Sequence, residues 1–175
     1  MKYETQCQAA SYNPDQDRCL LHSKHPLNAT AQVSNSNGYR LYYSKFGECD
    51  NGWLKFGDRC YFFNSNPLTW DQAMAACNLL RSNLLKIENS AENDFVRTKC
   101  IEYGGHFYWI GARYSTQYGQ YTWYDGTTLD YTRWNPGEPD TIGCVDLLHL
   151  YNYNWNDHPD CNTYGESICE RGLFD

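Results

Sequence analysis

Hydrophobic and polar residues follow patterns that predict a mixed fold from about residue 49 onward. Two aromatic-rich runs flank a Gly-Asp turn in "GWLKFGDRCYFF" (52–63), which predicts a β-hairpin. In "TWDQAMAACNLLR" (69–81) apolar residues recur at helical spacing and Thr69 forms a capping box with Gln72, so this run predicts a helix. Ser90 is expected to cap a second helix over "AENDFVRTKCIEY", whose acids come before its bases.

After Gly104 the helical spacing gives way to short strands and irregular loops. The predicted strands, each bounded by turn formers, lie at 107–112, 121–126, 144–151 and 166–170. A hairpin followed by two helices and then by short strands defines the α+β fold class. The long irregular stretch that ends at Pro139 is expected to carry function, because loops of that length are otherwise uncommon in compact domains.

The first 48 residues differ from the rest of the chain. They are polar, interrupted by Asn, Ser and Pro, and they hold only short apolar patches. A segment of this size is too small for a core of its own and needs a disulfide or a neighbour to hold it. We therefore predict an N-terminal extension over residues 1–48 and a single domain over residues 49–175.

Cysteine is used heavily, with nine residues and no CxxC pair. In a reducing cytosol such a set would need a metal or redox role, so disulfides in an oxidising compartment are the better interpretation. The sequence contains no apolar run of transmembrane length and no apolar segment at its start. We expect a secreted, extracellular protein whose signal peptide is not part of this sequence.

The charge balance and the motifs exclude several classes of function. Fourteen basic and twenty-one acidic residues give a net charge of −7 without a basic run, so nucleic acid is not an expected partner. No HExxH, GxSxG or P-loop motif is present, and the five histidines are scattered. The sequence predicts a binding protein rather than an enzyme, and its acidity favours a cation as partner.

Two separated motifs concentrate side-chain oxygens just before a cysteine. They are "WNPGEPDTIGC" (134–144) and "NWNDHPDC" (154–161). Calcium takes roughly six to eight oxygen ligands, mostly from carboxylates and carbonyls. On these motifs alone, a calcium site and a solvated acidic turn both remain open. The candidate ligands are Glu138, Asp140, Asn156 and Asp157.

Six fragments in order resemble the C-type lectin-like domain in its long form, over residues 49–172. They are "GWLKFGDRCYFF", "TWDQAMAAC", "YWIGA", "TWYDGTTLDYTRWNPGEPD", "NWNDHPDC" and "SICE". The resemblance implies an α+β fold with two helices, short antiparallel β-sheets and a long loop pinned by a disulfide. It also implies three disulfide pairs, which are Cys49–Cys60, Cys77–Cys169 and Cys144–Cys161.

Three cysteines are not paired by this resemblance. The segment "CQAASYNPDQDRCLLHS" (7–23) resembles a fragment of a PAN/apple module, and a Cys7–Cys19 bridge is a prediction within it. Cys100 has no partner in the family. It is either a buried free thiol or an interchain disulfide, and the second alternative predicts a disulfide-linked homodimer.

The resemblance also implies a function for the two oxygen-rich motifs. It implies a cis peptide bond before Pro139 and a Ca²⁺ ion whose coordination shell two sugar hydroxyls complete. The protein is then a calcium-dependent lectin that recognises glycans or microbial surfaces, or agglutinates cells. Tyr151, Tyr153 and His158 are expected to stack on the sugar. A separate set of residues is expected to serve packing, namely Trp109, Trp123, Trp134 and Trp155.

Two departures from the family pattern keep an alternative open. Ile142 stands where lectins that bind sugar through calcium usually carry a glutamate, although Asp146 or Asp160 could compensate. The triplet "EPD" has two acceptors and no donor, so it does not encode sugar orientation as EPN and QPD do; Glu138 slightly favours mannose- or GlcNAc-type glycans over galactose-type ones. The alternative is a degenerate calcium site in a domain that binds a protein, or binds sugar without calcium.

Overall fold

The computed structural model describes residues 10–13, 18–21 and 48–173. The chain divides into two compact units, Met1–Glu48 and Cys49–Asp175. Each unit has its own set of internal contacts.

In the first unit two short strands pair. Strand β1 (Ala10–Asn13) runs antiparallel to β2 (Arg18–Leu21). Cys7 lies outside the described residues, so the Cys7–Cys19 bridge stays a prediction. The resemblance of this segment to a PAN/apple module likewise stays a prediction.

Within residues 48–173 the second unit contains eight strands, two α-helices and one turn of 3-10 helix. The helices are α1 (Trp70–Leu79) and α2 (Ser90–Tyr103), and the 3-10 turn is His149–Tyr151. The strands are β3 (Leu54–Phe56), β4 (Arg59–Leu68), β5 (Asn83–Leu84), β6 (Phe107–Ser115), β7 (Gln120–Trp123), β8 (Cys144–Leu148), β9 (Asn154–His158) and β10 (Gly165–Gly172).

All eight strands belong to one sheet in the order β3-β4-β10-β6-β8-β9, with β5 paired to β10 and β7 paired to β6. Strands β10 and β6 are parallel, and the other pairs are antiparallel. The α+β class and the two helices are confirmed. The expected antiparallel pairing holds for every strand pair of this sheet except one, because the last strand returns to its middle and runs parallel to β6.

The helix starts show how local sequence sets the elements. Thr69 and Gln72 form the predicted capping box, in which the Thr69 hydroxyl accepts the Gln72 N–H and the Gln72 amide oxygen accepts the Thr69 N–H. Helix α2 is capped by Asn89 rather than by Ser90, since the Asn89 side chain accepts the N–H of Glu92 at 3.0 Å. Among the described residues, no helix has both the length and the apolar character needed to cross a membrane.

Three disulfides tie the second unit together. Cys77–Cys169 joins α1 to the central strand β10, Cys144–Cys161 joins the start of β8 to the segment after β9, and Cys49–Cys60 joins the start of the unit to β4. These are the three pairs that the resemblance implies. The Cys77–Cys169 bridge is fully buried in one of two core clusters, so the crosslink and the apolar packing act on the same part of the sheet.

The structure contradicts the interchain role expected of Cys100. Its side chain has no exposed surface and packs in the core beneath α2 with Val96 and Tyr108. Burial also raises the pKa of the thiol, which keeps it protonated and unreactive. A disulfide to another chain would require the helix to leave the core, so the buried-thiol alternative is correct.

Candidate functional site

The predicted site residues lie on two neighbouring segments, the turn before β8 and the strand β9. The Glu138–Pro139 peptide bond in the turn is cis, as the resemblance implies. Oxygen atoms of Glu138, Asp140 and Asp157 lie within 4.8 Å of one another. The fold therefore brings together three of the four carboxylate and amide groups that the sequence indicates.

Asp157 is the buried centre of this arrangement, with 2% of its surface exposed. Its Oδ2 accepts hydrogen bonds from the Thr141 N–H at 2.7 Å, the Thr141 hydroxyl at 2.8 Å and the Tyr121 hydroxyl at 3.0 Å. Its Oδ1 accepts the Asp140 N–H at 3.1 Å. Burial alone would raise the pKa of Asp157, but these bonds and one from Glu138 lower it, so the carboxylate is ionised.

The alternation of strand β9 separates Asn156 from Asp157. Successive side chains of a strand point to opposite faces, and here Asp157 is buried while Asn156 is partly exposed. Asn156 pairs across the sheet with Asp146 on β8, and its amide donates to Asp146 Oδ2 at 3.3 Å. The side-chain nitrogen of Asn156 is therefore hydrogen-bonded to a neighbouring acid.

Asp146 and Asp160, the two acids considered as substitutes for a missing ligand, have other roles. Asp146 has no exposed surface, and its Oδ1 has no hydrogen-bond partner among the residues that the structure describes. Burial raises the pKa of Asp146 to about 8, although the Asn156 amide partly opposes this. Asp160 accepts the Asn162 N–H at 2.9 Å and closes a local turn.

Glu138 is partly buried and has an unusual environment. Burial, a hydrogen bond with Asp157 and the charge of Asp140 together raise the pKa of Glu138. The Tyr151 hydroxyl is a second hydrogen-bond partner of this carboxyl group. One of its oxygens, Oε2, is buried without a partner within the described part of the chain. Asp140 is exposed and Glu138 is only partly buried, so a ligand can reach the side chains of both acids of this turn.

The structure removes Tyr153 and His158 from the predicted sugar-stacking set. Tyr153 is 2% exposed, and its hydroxyl donates to the Gly105 carbonyl at 2.7 Å, so no ring face is available. His158 lies on the opposite face of β9 from Asp157, and its ring packs 5.6 Å from Phe107. Of the three aromatic residues considered for the site, Tyr151 alone contacts Glu138 among the described contacts.

Tryptophan packing holds the long loop against β9. Trp134 packs 5.6 Å from Trp155 and 5.2 Å from Tyr121, ring centre to ring centre. Asn135 donates its N–H to the Trp155 carbonyl at 2.9 Å, which fixes the loop backbone beside the strand. The predicted packing role is confirmed for all four tryptophans, which are Trp109, Trp123, Trp134 and Trp155.

Sequence reasoning missed two polar partners, Tyr121 and Thr141. Tyr121 was part of a predicted strand, and Thr141 stood inside a predicted acidic motif. Neither residue type is a preferred calcium ligand, so ligand counting passed over both. A signal existed only at Thr141, whose place directly after Asp140 puts its hydroxyl in the same turn.

The residues present do not fit the calcium site predicted from sequence. Calcium takes roughly six to eight oxygens. The Asp157 carboxylate already accepts four backbone and hydroxyl donors and a hydrogen bond from Glu138, and the Asn156 amide nitrogen donates to Asp146. Among the described contacts, the acceptors left outside this network belong to Glu138, Asp140 and the amide oxygen of Asn156, which is fewer oxygens than calcium takes even though three carboxylates lie close together.

Comparison with known proteins identifies the family. The model of the Lectin C-type domain matches residues 66–171, and the chain belongs to this family. Ladderlectin of Oncorhynchus mykiss is 30% identical over 132 residues, which are 72% of this chain and 70% of ladderlectin. Two longer relatives are matched over a smaller share of their length. They are the low affinity immunoglobulin epsilon Fc receptor of Mus musculus, covered to 37%, and the versican core protein of Bos taurus, covered to 4%.

Solved structures of lectins share the fold. A complex of SPL-1 with GlcNAc is 35% identical, with a TM-score of 0.68 over 73% of this chain and 97% of that one. SPL-2 from Saxidomus purpuratus, described as a Ca²⁺-independent C-type lectin, is 37% identical, with a TM-score of 0.67 over 73% of this chain and 96% of that one. The family model, over residues 66–171, lies within the second unit of the chain.

Proposed function

We propose that this domain is a lectin that binds glycans at the turn formed by residues 138–141 against β9. The observation that carries the proposal is the cluster of Glu138, Asp140 and Asp157, whose oxygens lie within 4.8 Å of one another at the surface of a C-type lectin domain. A neighbour of similar fold, SPL-1, is described in complex with GlcNAc.

The geometry supports recognition through hydrogen bonds from sugar hydroxyls. An ionised carboxylate only accepts hydrogen bonds, whereas a protonated carboxyl group can also donate one, so the pair of Asp140 and Glu138 suits ligands with adjacent hydroxyls, which both donate and accept. Asp140 is exposed, Glu138 is partly exposed, and Tyr151 stands beside Glu138. Mannose- and GlcNAc-type glycans are the proposed class, in keeping with the first position of the "EPD" triplet and with the GlcNAc bound by SPL-1.

We further propose that the protein works outside the cell as a non-enzymatic binding module. Three disulfides in the second unit are expected to form in an oxidising compartment. Such a lectin would recognise glycan-coated or microbial surfaces. Because single lectin sites are weak, several copies on one assembly would raise avidity, and the buried Cys100 would not be the crosslink between them.

Calcium-dependent binding is the second candidate. The close approach of three carboxylates and the unpartnered Glu138 Oε2 favour it. Against it stand the protein donors on Asp157, and SPL-2 is described as Ca²⁺-independent. The two candidates share the same turn and differ in the response to a chelator.

A glycan array probed with and without EDTA tests the proposal. We expect retention on mannose- or GlcNAc-type glycans, and Asp140→Asn should weaken it by about tenfold because one acceptor becomes an amide. Asp71→Asn is the matched control, since Asp71 lies on α1 with its side chain 80% exposed. Retention by no glycan would contradict the proposal and favour a protein partner. Equal retention by both variants would place the site elsewhere.

A further inference from the structure

The turn that carries the proposed glycan site is held by hydrogen bonds to one carboxylate. Thr141 contributes two of them, through its N–H and its hydroxyl to Asp157 Oδ2, and the hydroxyl also lies 3.1 Å from the backbone carbonyl oxygen of Asp157. Tyr121 contributes another to Oδ2 and also accepts the Gly143 N–H at 3.3 Å. Tyr121 therefore links both ends of the segment from Thr141 to Gly143 to strand β9.

Metal ions and hydrogen-bond donors compete for the same lone pairs. An ionised carboxylate has about four acceptor positions. The Asp157 carboxylate makes three contacts through Oδ2, with the Thr141 N–H and the hydroxyls of Thr141 and Tyr121, and one through Oδ1, with the Asp140 N–H. The Glu138 side chain makes a fifth hydrogen bond to this carboxylate. A cation bound to Asp157 would have to displace donors that hold the turn in place.

The neighbouring position offers no substitute ligand. Ile142 directly follows Thr141 and its side chain is 63% exposed, so an apolar group occupies the place of the family's usual glutamate. The acid on the paired strand β8, Asp146, is completely buried and accepts a hydrogen bond from Asn156. The turn is thus ordered by its own donors and is short of the oxygens that calcium takes.

We propose that the hydrogen bonds from Thr141 and Tyr121 to Asp157 replace a bound cation, so that this turn forms and binds glycan without metal. The proposal rests on the glycan-binding function proposed above and adds its mechanism. Thr141 and Tyr121 act as positioning residues, because they order Glu138 and Asp140 through Asp157.

The test measures glycan affinity and calcium binding separately. Wild-type protein should be retained equally on a glycan column in EDTA and in about 5 mM calcium, several times the roughly 1 mM dissociation constant of weak extracellular calcium modules. Thr141→Val and Tyr121→Phe should each weaken retention about tenfold in both buffers while the circular dichroism spectrum is kept. Thr141→Ser keeps the hydroxyl and should bind like wild type, which a purely steric role for the methyl group would not allow.

Matched controls are available for both substitutions. Thr116→Val removes an exposed hydroxyl, and Tyr114→Phe changes a ring that packs on Tyr121 at 5.5 Å. Both should leave retention unchanged. Loss of wild-type retention in EDTA, with recovery in calcium, would overturn the inference and leave the proposed function intact.

If the column retains nothing, the proposed function fails. Calorimetric titration of the metal-free protein with calcium chloride then decides whether the turn binds calcium or forms without it. The absence of binding heat and an unchanged melting temperature support a metal-independent turn. Saturable heat, or a clear rise in melting temperature, overturns it.

Discussion

Gly143, directly before β8, lies against the backbone of His158 at the end of β9. A Cβ on Gly143 would overlap the His158 carbonyl oxygen and would also approach the Pro159 Cα at 3.0 Å. Both neighbours are backbone atoms and cannot rotate away. The two segments are this close because Cys144 pairs with His158 in the sheet. A side chain at position 143 is therefore incompatible with the pairing that presents the site.

Gly143→Ala is expected to lower the free energy of unfolding by about 3 kcal/mol, since the overlap forces a shift of backbone. Gly119→Ala is the control, because Gly119 has open space around it and only its φ of +66° opposes a side chain. That strain costs about 1 kcal/mol. Urea denaturation of both variants measures the difference, and an equal loss would show that the His158 contact is unimportant.

The two disulfides that close the longest and the shortest of the described loops should contribute differently to the free energy of unfolding. Cys77–Cys169 spans 92 residues and Cys49–Cys60 spans 11. Chain entropy alone predicts a loss of about 4.6 kcal/mol for the first double alanine variant and about 2.8 kcal/mol for the second. Urea denaturation at fixed pH measures both. The opposite order would mean that native-state contacts, rather than the unfolded chain, set the effect.

Glu170 on β10 should make stability depend on pH. It is buried, and Arg59 donates to its Oε1 at 2.7 Å. Burial raises the pKa of Glu170 to about 8, and Arg59 opposes this only in part. The folded protein then holds a proton that the unfolded chain releases near pH 4.5, so stability should fall as pH rises from about 5 to about 8.

Glu170→Gln should remove this part of the slope, which is at most about 1.4 kcal/mol per pH unit. The amide keeps the shape of the side chain and an oxygen for Arg59. Glu166→Gln, on the same strand but partly exposed, is the control. Thermal unfolding from pH 5 to pH 8 tests the prediction, and identical slopes for wild type and Glu170→Gln would contradict it.

Cys100 should be invisible to thiol reagents in the folded protein. Native wild type and Cys100→Ala should label equally, and one additional thiol should appear in wild type after denaturation, because the side chain is fully buried. Both should also migrate alike on a non-reducing gel. A dimer band that disappears in Cys100→Ala would contradict the burial of this thiol.

Local elements were predictable because their determinants are close in sequence. The capping box joins Thr69 to Gln72, three residues apart, and the hairpin turn is Gly57–Asp58. The error at the second helix was a single residue, since Asn89 and Ser90 are both good caps and only the backbone geometry chose between them. These features depend on the chain within a few residues of each position.

The site aromatics were harder to predict from proximity in sequence. Tyr153 and His158 lie close to Asn156 and Asp157, but Tyr153 has a left-handed backbone with φ of +57° and turns its ring into the core. His158 shares a strand with Asp157 and faces the other way. Neighbours in sequence need not be neighbours in a site, because a strand alternates its side chains.

What the sequence by itself determined was the class of fold, the cap of the first helix, the packing tryptophans and the acids of the proposed site. Only the tertiary structure decided which groups those acids meet. Tyr121 and Thr141 lie 36 and 16 residues from Asp157, and the pairing of β6 with β7 and of β8 with β9 brings all three together. The physical reason is that a carboxylate interacts only with donors or cations that lie within contact distance. Strand pairing determines which groups lie that close.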